Sequence, residues 1–193
     1  EVLGVSIAGN VVSLTTEVVH LSTFTVIITL EGTEISKEVT FTVRNNPDSA
    51  NTVVEITTEE EFLALQRLDA DSAEYTYKLM NDIALTGWYT QTIGNAEIPF
   101  MGTFDGQGFT ISGFKGGDSE NNFAIFGVIG TTGVVKNLGI KGAEREVDFY
   151  RGNTSAFLAS KNYGLIENVY VEATIMSGGD LVAGIVGENH GTI

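Results

Sequence analysis

The sequence predicts an all-β chain. Its larger part reads as a solenoid of stacked strands, a parallel β-helix with one N-terminal capping α-helix, and a small β-sandwich or part of one stands in front. Three observations carry this. Of 193 residues, 23 are Gly and only 2 are Pro, while Val, Ile and Thr recur throughout, a composition for strands and tight turns. Helical periodicity is confined to one short segment. The segment 101–193 then repeats a glycine-anchored pattern at intervals that belong to coiled repeat architectures.

Composition also sets what the chain can do. With 42% hydrophobic residues a sizeable core can be buried. A formal net charge of −15 argues against nucleic acid or anionic lipid as a partner, since both need Lys and Arg to displace counterions. The absence of cysteine excludes disulfides, thiolate metal sites and thiol nucleophiles. No apolar run approaches the roughly 20 residues of a membrane helix. Glu1 follows no cleavable signal, so the chain reads as a mature fragment.

Residues 1–46 read as strand throughout. Short strands fit Val2–Ile7 and Val11–Leu14, and a longer pair fits 22–30 and 34–43. In the last of these Val39, Phe41 and Val43 alternate with Glu38, Thr40 and Thr42, one face inward and one in water. Glu31-Gly32 is the expected hairpin turn. The polar run around Pro47-Asp48-Ser49 then breaks the pattern, and 47–52 is assigned as a linker between domains.

The second domain, 53–193, opens with the helix. Thr58 as N-cap and Glu61 three residues on form a capping box, and Phe62, Leu65 and Leu68 recur on one face over about 59–69. A strand-like run follows over 75–85. Beyond residue 100, three stretches align on a glycine, Ala124–Gly133, Ser155–Gly164 and Val182–Gly191, each followed by an apolar residue at Val135, Ile166 or Ile193. A weaker copy surrounds Ile111, giving steps of 24, 31 and 27 residues from Ile111 to Ile193.

A coil of this kind buries its apolar side only by stacking on the next. Stacking predicts a buried column of Val135, Ile166 and Ile193, a second of Leu138 and Val169, and a third of Ile140 and Val171. Asn137 and Asn168 fall at a corner, where Asn tolerates left-handed backbone and can bond to the Asn above it. Gly133, Gly164 and Gly191 are assigned to another corner for the same conformational reason. Lys141–Thr154 and Glu172–Leu181 are the expected loop excursions. The helix would cover the first coil, whose open edge would otherwise pair with a passing strand. The last coil stops mid-repeat at Thr192-Ile193, which implies a longer molecule or end-to-end self-association.

Ala183-Gly184-Ile185-Val186-Gly187-Glu188-Asn189-His190-Gly191-Thr192-Ile193 resembles the GLUG repeat of bacterial surface proteins, Ala-Gly-(Leu/Ile)-Val-Gly-x-Asn-x-Gly-x-Ile. The copy from Ser155 has Phe157 and Ser160 in the two glycine slots but keeps Gly164-Leu165-Ile166-Glu167-Asn168, and the copy from Ala124 has Phe126 in the first slot. Tyr77–Leu85 and Phe100–Gly113 look like the usual lead-in to such repeats. The resemblance covers about 53–193. It implies a right-handed parallel β-helix on an exported or cell-surface protein, an adhesin or an appendage of a secreted hydrolase such as an IgA-degrading metallopeptidase. Residues 1–46 resemble the last strands of a bacterial Ig-like domain.

The candidate sites are few, and none is assigned a catalytic, cofactor or metal role. Asp105 in Phe-Asp-Gly-Gln-Gly is either a glycosidase-like carboxylate or a turn residue, with the turn favoured. Asp118, Glu120 and neighbouring Asn121-Asn122 are the best calcium candidates, ahead of Asp180, but lack EF-hand spacing. His20 and His190 are the only histidines; His190 reads as an exposed turn residue rather than a triad member. Trp88, Tyr89 and Phe100 either stack on sugar rings or seal the first coil, sealing being favoured. The charged stretch Glu144–Arg151 is either a contact loop or solvated.

The expected function is a non-catalytic extracellular stalk or adhesive module, secreted or on a bacterial surface, with a host protein, matrix protein or glycan as partner. The alternative is a β-helical polysaccharide lyase or hydrolase. Such a lyase would draw its base from Lys115, Lys136, Lys141, Lys161, Arg145 or Arg151, and would need clustered acids beside it.

Overall fold

In a computed structural model the described residues are 2–8, 11–16, 23–29, 36–42, 52–67, 73, 75–87, 89, 91–115, 124–145, 154–175 and 181–193. The chain divides into two compact units, Glu1–Asn46 and Pro47–Ile193. It is mostly strand, and helix among the described residues is short.

The first unit contains two antiparallel pairs. β1 (Val2–Ala8) pairs with β2 (Val11–Thr16), and β3 (Thr23–Thr29) with β4 (Ser36–Thr42). Glu31-Gly32, the expected turn, lies outside the described residues.

The second unit begins with β5 (Thr52–Ile56), so the strand starts at the last residue assigned to the linker. Helix α1 (Glu59–Ala64) follows and tightens into a 3-10 turn at Leu65–Arg67. The capping box forms: the Glu61 amide donates to Thr58 Oγ1 at 3.2 Å, and the Glu61 carboxylate accepts from the Thr58 amide at 3.1 Å. Phe62 and Leu65 are buried, and Phe62 meets Phe104 edge to face at 6.2 Å. Leu68 lies outside the described residues.

The remaining strands are β6 (Tyr75–Leu79), β7 (Ile83–Ala84), β8 (Thr103–Asp105), β9 (Thr110–Ser112), β10 (Phe126–Ile129), β11 (Val134–Arg145), β12 (Thr154–Ala156), β13 (Ala159–Asn162), β14 (Leu165–Ile175), β15 (Leu181–Ala183) and β16 (Val186–Asn189). Every pair among them is parallel. β5, β6, β8, β11 and β14 lie side by side, and the register sets Val54 beside Tyr77, then Phe104, Val135 and Ile166, all buried. A second column runs Ile83, Ile111, Ile140 and Val171. β10, β13 and β16 form a separate sheet, with Phe126 beside Ala159 and Val186. β12 pairs with β15.

Several expectations need correction. Ile111 stacks on Ile140, not Val135, because the turn after Phe104 holds two more residues than its counterpart after Val135. Ile193 keeps the expected register, through a Leu165–Thr192 bridge, but is 61% exposed, because no described residue stacks on its far side. β11 and β14 continue to Arg145 and Ile175, past a register shift where Gly142 takes φ +56°, so the two excursions begin later than expected.

The corner glycines have a different cause from the one expected. Gly133, Gly164 and Gly191 do not adopt positive φ. Instead a Cβ on Gly164 would stand 2.1 Å from the carbonyl oxygen of Gly133, and one on Gly191 2.2 Å from that of Gly164. Successive backbones approach too closely there for any side chain.

The asparagine corner is as the sequence implies. Asn137 and Asn168 have φ of 53° and 52°. The Asn168 amide donates to Asn137 Oδ1 at 2.9 Å, and the Asn137 amide donates to Asp105 Oδ1 at 3.0 Å. A second ladder joins Asn162, buried, to Asn189 Oδ1 at 2.8 Å.

Candidate functional site

Asp105 belongs to the corner. Its Oδ1 accepts from the Gln107 amide at 3.0 Å as well as from Asn137, and Lys136 Nζ lies 3.7 Å from Oδ2. Burial opposes its charge, but the Asn137 side chain, the Gln107 amide and the Lys136 ammonium outweigh that and hold the carboxyl below the ordinary Asp range. This is the arrangement of a turn residue terminating a ladder of amides.

Tyr89 and Phe100 are buried. Tyr89 stacks on Phe114 at 6.2 Å, and its hydroxyl donates to Glu59 Oε1. That hydrogen bond, with those from the Thr86 backbone amide and side chain, lowers the Glu59 pKa. Burial together with Glu59 raises that of Tyr89. Phe100 packs on Tyr77 and Phe126 at 5.9 and 5.2 Å. Both rings therefore seal the interior. Trp88, His20, Asp118, Glu120, Asn121, Asn122, Asp180 and the stretch 146–151 lie outside the described residues, as do the side chains of Glu144 and Arg145.

The stretch around Phe100 also holds what sequence reasoning missed. Ile93 bridges Phe126 and Phe100 bridges Ile129, so 93–100 is a further parallel neighbour of β10. Ile93 and Phe100 are seven residues apart where Phe126 and Ile129 are three, and the extra residues form a compact excursion over 94–99. Asn95 Oδ1 closes it by accepting from the Glu97 and Ile98 amides, both at 2.8 Å. Gly94, at φ +71°, turns the chain where a Cβ would lie 2.6 Å from the Phe100 amide nitrogen.

Beside this excursion lies a cavity of about 550 Å³ over β10 and β13. Ala96, Pro99, Met101 and Val128 give it apolar walls, and Ser160, Lys161 and Tyr163 give it polar ones. Ser160 stands opposite Gly127 on one side and Gly187 on the other, between paired residues of β10, β13 and β16. Ser160 is 1% exposed, and its Oγ, out of reach of solvent, has no hydrogen-bond partner among the described residues. An unpaired buried hydroxyl costs about 1–3 kcal/mol.

The rim is built on the next turn. Lys161 Nζ pairs with Glu188 Oε2 at 3.1 Å, and His190 Nε2 lies 3.7 Å from the same oxygen. His190 stacks on Tyr163 with centroids 5.0 Å apart and planes at 11°. His190 is exposed as expected, but in partnership with Tyr163. With Ser160 Oγ unbonded, Ser160 and His190 do not form a nucleophile–base pair.

The other candidate bases are scattered. Lys136 meets Asp105 and Lys161 meets Glu188, while Lys141 Nζ lies 5.7 Å over the Tyr170 ring. Lys115 is exposed, and its carbonyl accepts from the Tyr89 amide. Among the described residues no group of three or more His, Asp or Glu side chains could hold a metal. Nor is any described helix long and apolar enough to cross a membrane.

No family model and no solved structure matches the chain. Among curated proteins, one from Evansella cellulosilytica, described as "Putative Gly-rich membrane protein", is 36% identical over 107 residues. The match covers 51% of this chain and 12% of that protein, so the chain corresponds to a small part of the relative's length.

Proposed function

We propose that 53–193 is a right-handed parallel β-helix with GLUG-like repeats, preceded by an Ig-like segment, and that the chain is a non-catalytic extracellular stalk or adhesive module of a bacterial envelope protein. The observation that carries the reading is the continuous parallel register from Val54 through Tyr77, Phe104 and Val135 to Ile166. Strands 23 to 33 residues apart in sequence repeatedly become neighbours, which suits a chain that coils. Parallel crossovers take the right hand. α1 supports the capping role, since it directs Phe62 into the interior against Phe104.

An envelope location is supported by the relative's description as a membrane protein and by the acidic, cysteine-free composition. The partner is a host protein, a matrix protein or a glycan. The test is retention on immobilised matrix proteins and polysaccharides, run beside turnover of neutral and acidic polysaccharides with calcium present. Saturable retention with unchanged polysaccharide length is expected; cleavage that follows the purified chain would overturn the reading in favour of the enzyme.

A further inference from the structure

We propose that α1 is held shut by an acid-sensitive clasp: the Glu59 carboxylate grips the segment 86–89, and its protonation loosens the helix before the strands behind it give way. The Thr86 amide donates to Glu59 Oε1 at 2.7 Å, the Thr86 hydroxyl donates to Oε2 at 3.0 Å, and the Tyr89 hydroxyl donates to Oε1. Three donors from one short segment thus converge on a side chain 27 to 30 residues earlier. Helix capping does not require them. Thr58 and Glu61 complete the capping box between themselves, which leaves the Glu59 carboxylate to reach outward.

The far side of the clasp is fixed. The Leu85 and Tyr89 amides donate to the Ser112 and Lys115 carbonyls, both at 2.8 Å, and the Tyr89 ring stacks on Phe114. The other attachments of the helix do not titrate. Phe62 and Leu65 are buried, Gln66 Nε2 donates to the Gln91 carbonyl at 2.8 Å, and Asn81 Nδ2 donates to the Thr57 carbonyl at 3.1 Å. The titratable groups around Glu59 are Tyr89 from the facing segment and Glu60 and Glu61 from its own turn. Glu61 is engaged by Thr57 and Thr58. Tyr89 has its pKa raised, so its hydroxyl stays a donor throughout the acid range.

Glu59 is partly exposed, so protons reach it. Hydrogen bonds to a charged acceptor are stronger than those to a neutral one, and the Tyr89 hydroxyl and Thr86 hold this carboxyl below the ordinary Glu range. The closed clasp is therefore favoured near neutrality and weakens as pH falls through the acid range. Phe62 and Leu65 keep their hold on the interior, so the change is a more frequent local opening rather than release.

The test is amide hydrogen exchange of the full chain, residue by residue, at about pH 7 and about pH 3.5, corrected for the intrinsic exchange rate. Protection of the Thr86 amide, and of the Phe62 amide that donates to the Thr58 carbonyl, should fall about tenfold in acid while β8 and β11 keep theirs. Glu59→Gln keeps the shape without the charge and should show the lower protection at both pH values. Tyr89→Phe removes the donor that lowers Glu59 most, so the loosening should move to higher pH; it decides the matter if Glu59→Gln folds poorly. Asp105→Asn, which removes a carboxyl from a different corner, should leave the Thr86 response in place. The clasp is refuted if Thr86 and Phe62 keep their protection in acid, if β8 and β11 lose theirs together with them, or if Glu59→Gln retains the acid response.

Discussion

Substituting Gly164 with alanine tests the stacked architecture most directly. The added Cβ would stand 2.1 Å from the Gly133 carbonyl oxygen and 2.5 Å from that of Gly130, both backbone atoms that no rotamer change can move. Restoring ordinary contact requires the two backbones to part by about an ångström. The Leu165 amide now donates to the Gly133 carbonyl at 2.9 Å, and that separation would carry it beyond hydrogen-bonding range. One backbone hydrogen bond lost from a buried position, added to overpacking, gives a cost of about 3–5 kcal/mol. Gly184→Ala is the internal control, since a Cβ there meets nothing within 4 Å and φ is not positive; it should stay within about 0.5 kcal/mol of the parent. Urea unfolding followed by tryptophan fluorescence is the assay, the single tryptophan, Trp88, falling within the second unit. Equal stability of the two variants would refute the close approach of successive backbones.

The corner amides should be separable from the corner conformation: Asn168→Gly loses the bond to Asn137 but accepts φ +52°, whereas Asn168→Ala also strains the backbone and should cost about 1 kcal/mol more by the same urea assay. Thr58→Ala removes the side-chain acceptor of the Glu61 amide and should cost about 1 kcal/mol, read as a lower urea midpoint at unchanged slope. The pH dependence follows from Asp105, Glu59 and Glu61, all lowered on folding; in Glu61 burial opposes its charge, and the hydrogen bonds from Thr57 and Thr58 outweigh it. A depressed carboxyl stabilises the folded state above its unfolded value, so stability should be full near neutrality and fall as pH drops through the acid range below about 4.5. Asp105→Asn should flatten that fall in melts run from neutral to acid pH.

What the sequence disclosed depended on whether neighbouring turns share one spacing. Val135, Leu138 and Ile140 recur 31 residues on as Ile166, Val169 and Val171 with the same Asn between them, and their stacking and the positive φ of the Asn could both be read from that identity. Where spacing changes, the eye aligns the wrong strands. The long turn after Asp105 moved Ile111 into the wrong column, and the 94–99 excursion hid the bridges made by Ile93 and Phe100. The glycines were visible but their cause was not, because a close approach between backbones leaves the same mark in a sequence as a left-handed turn. The cavity was half legible: Val128, Lys161 and Tyr163 lie in the repeats, while the walls at Ala96, Pro99 and Met101 come from a segment that shows no repeat.

Departures from the repeat are informative only when packing fails to explain them. Phe157 fills a slot that is Gly184 one turn later, since its amide donates to the Gly184 carbonyl at 3.3 Å. That departure is resolved locally: Phe157 is 3% exposed, and its bulk adds to the core. Ser160 departs in the same turn and in the opposite sense, adding a polar atom where neither neighbour has a side chain, and the described residues supply it with no partner. Stability alone would favour glycine or alanine at that position.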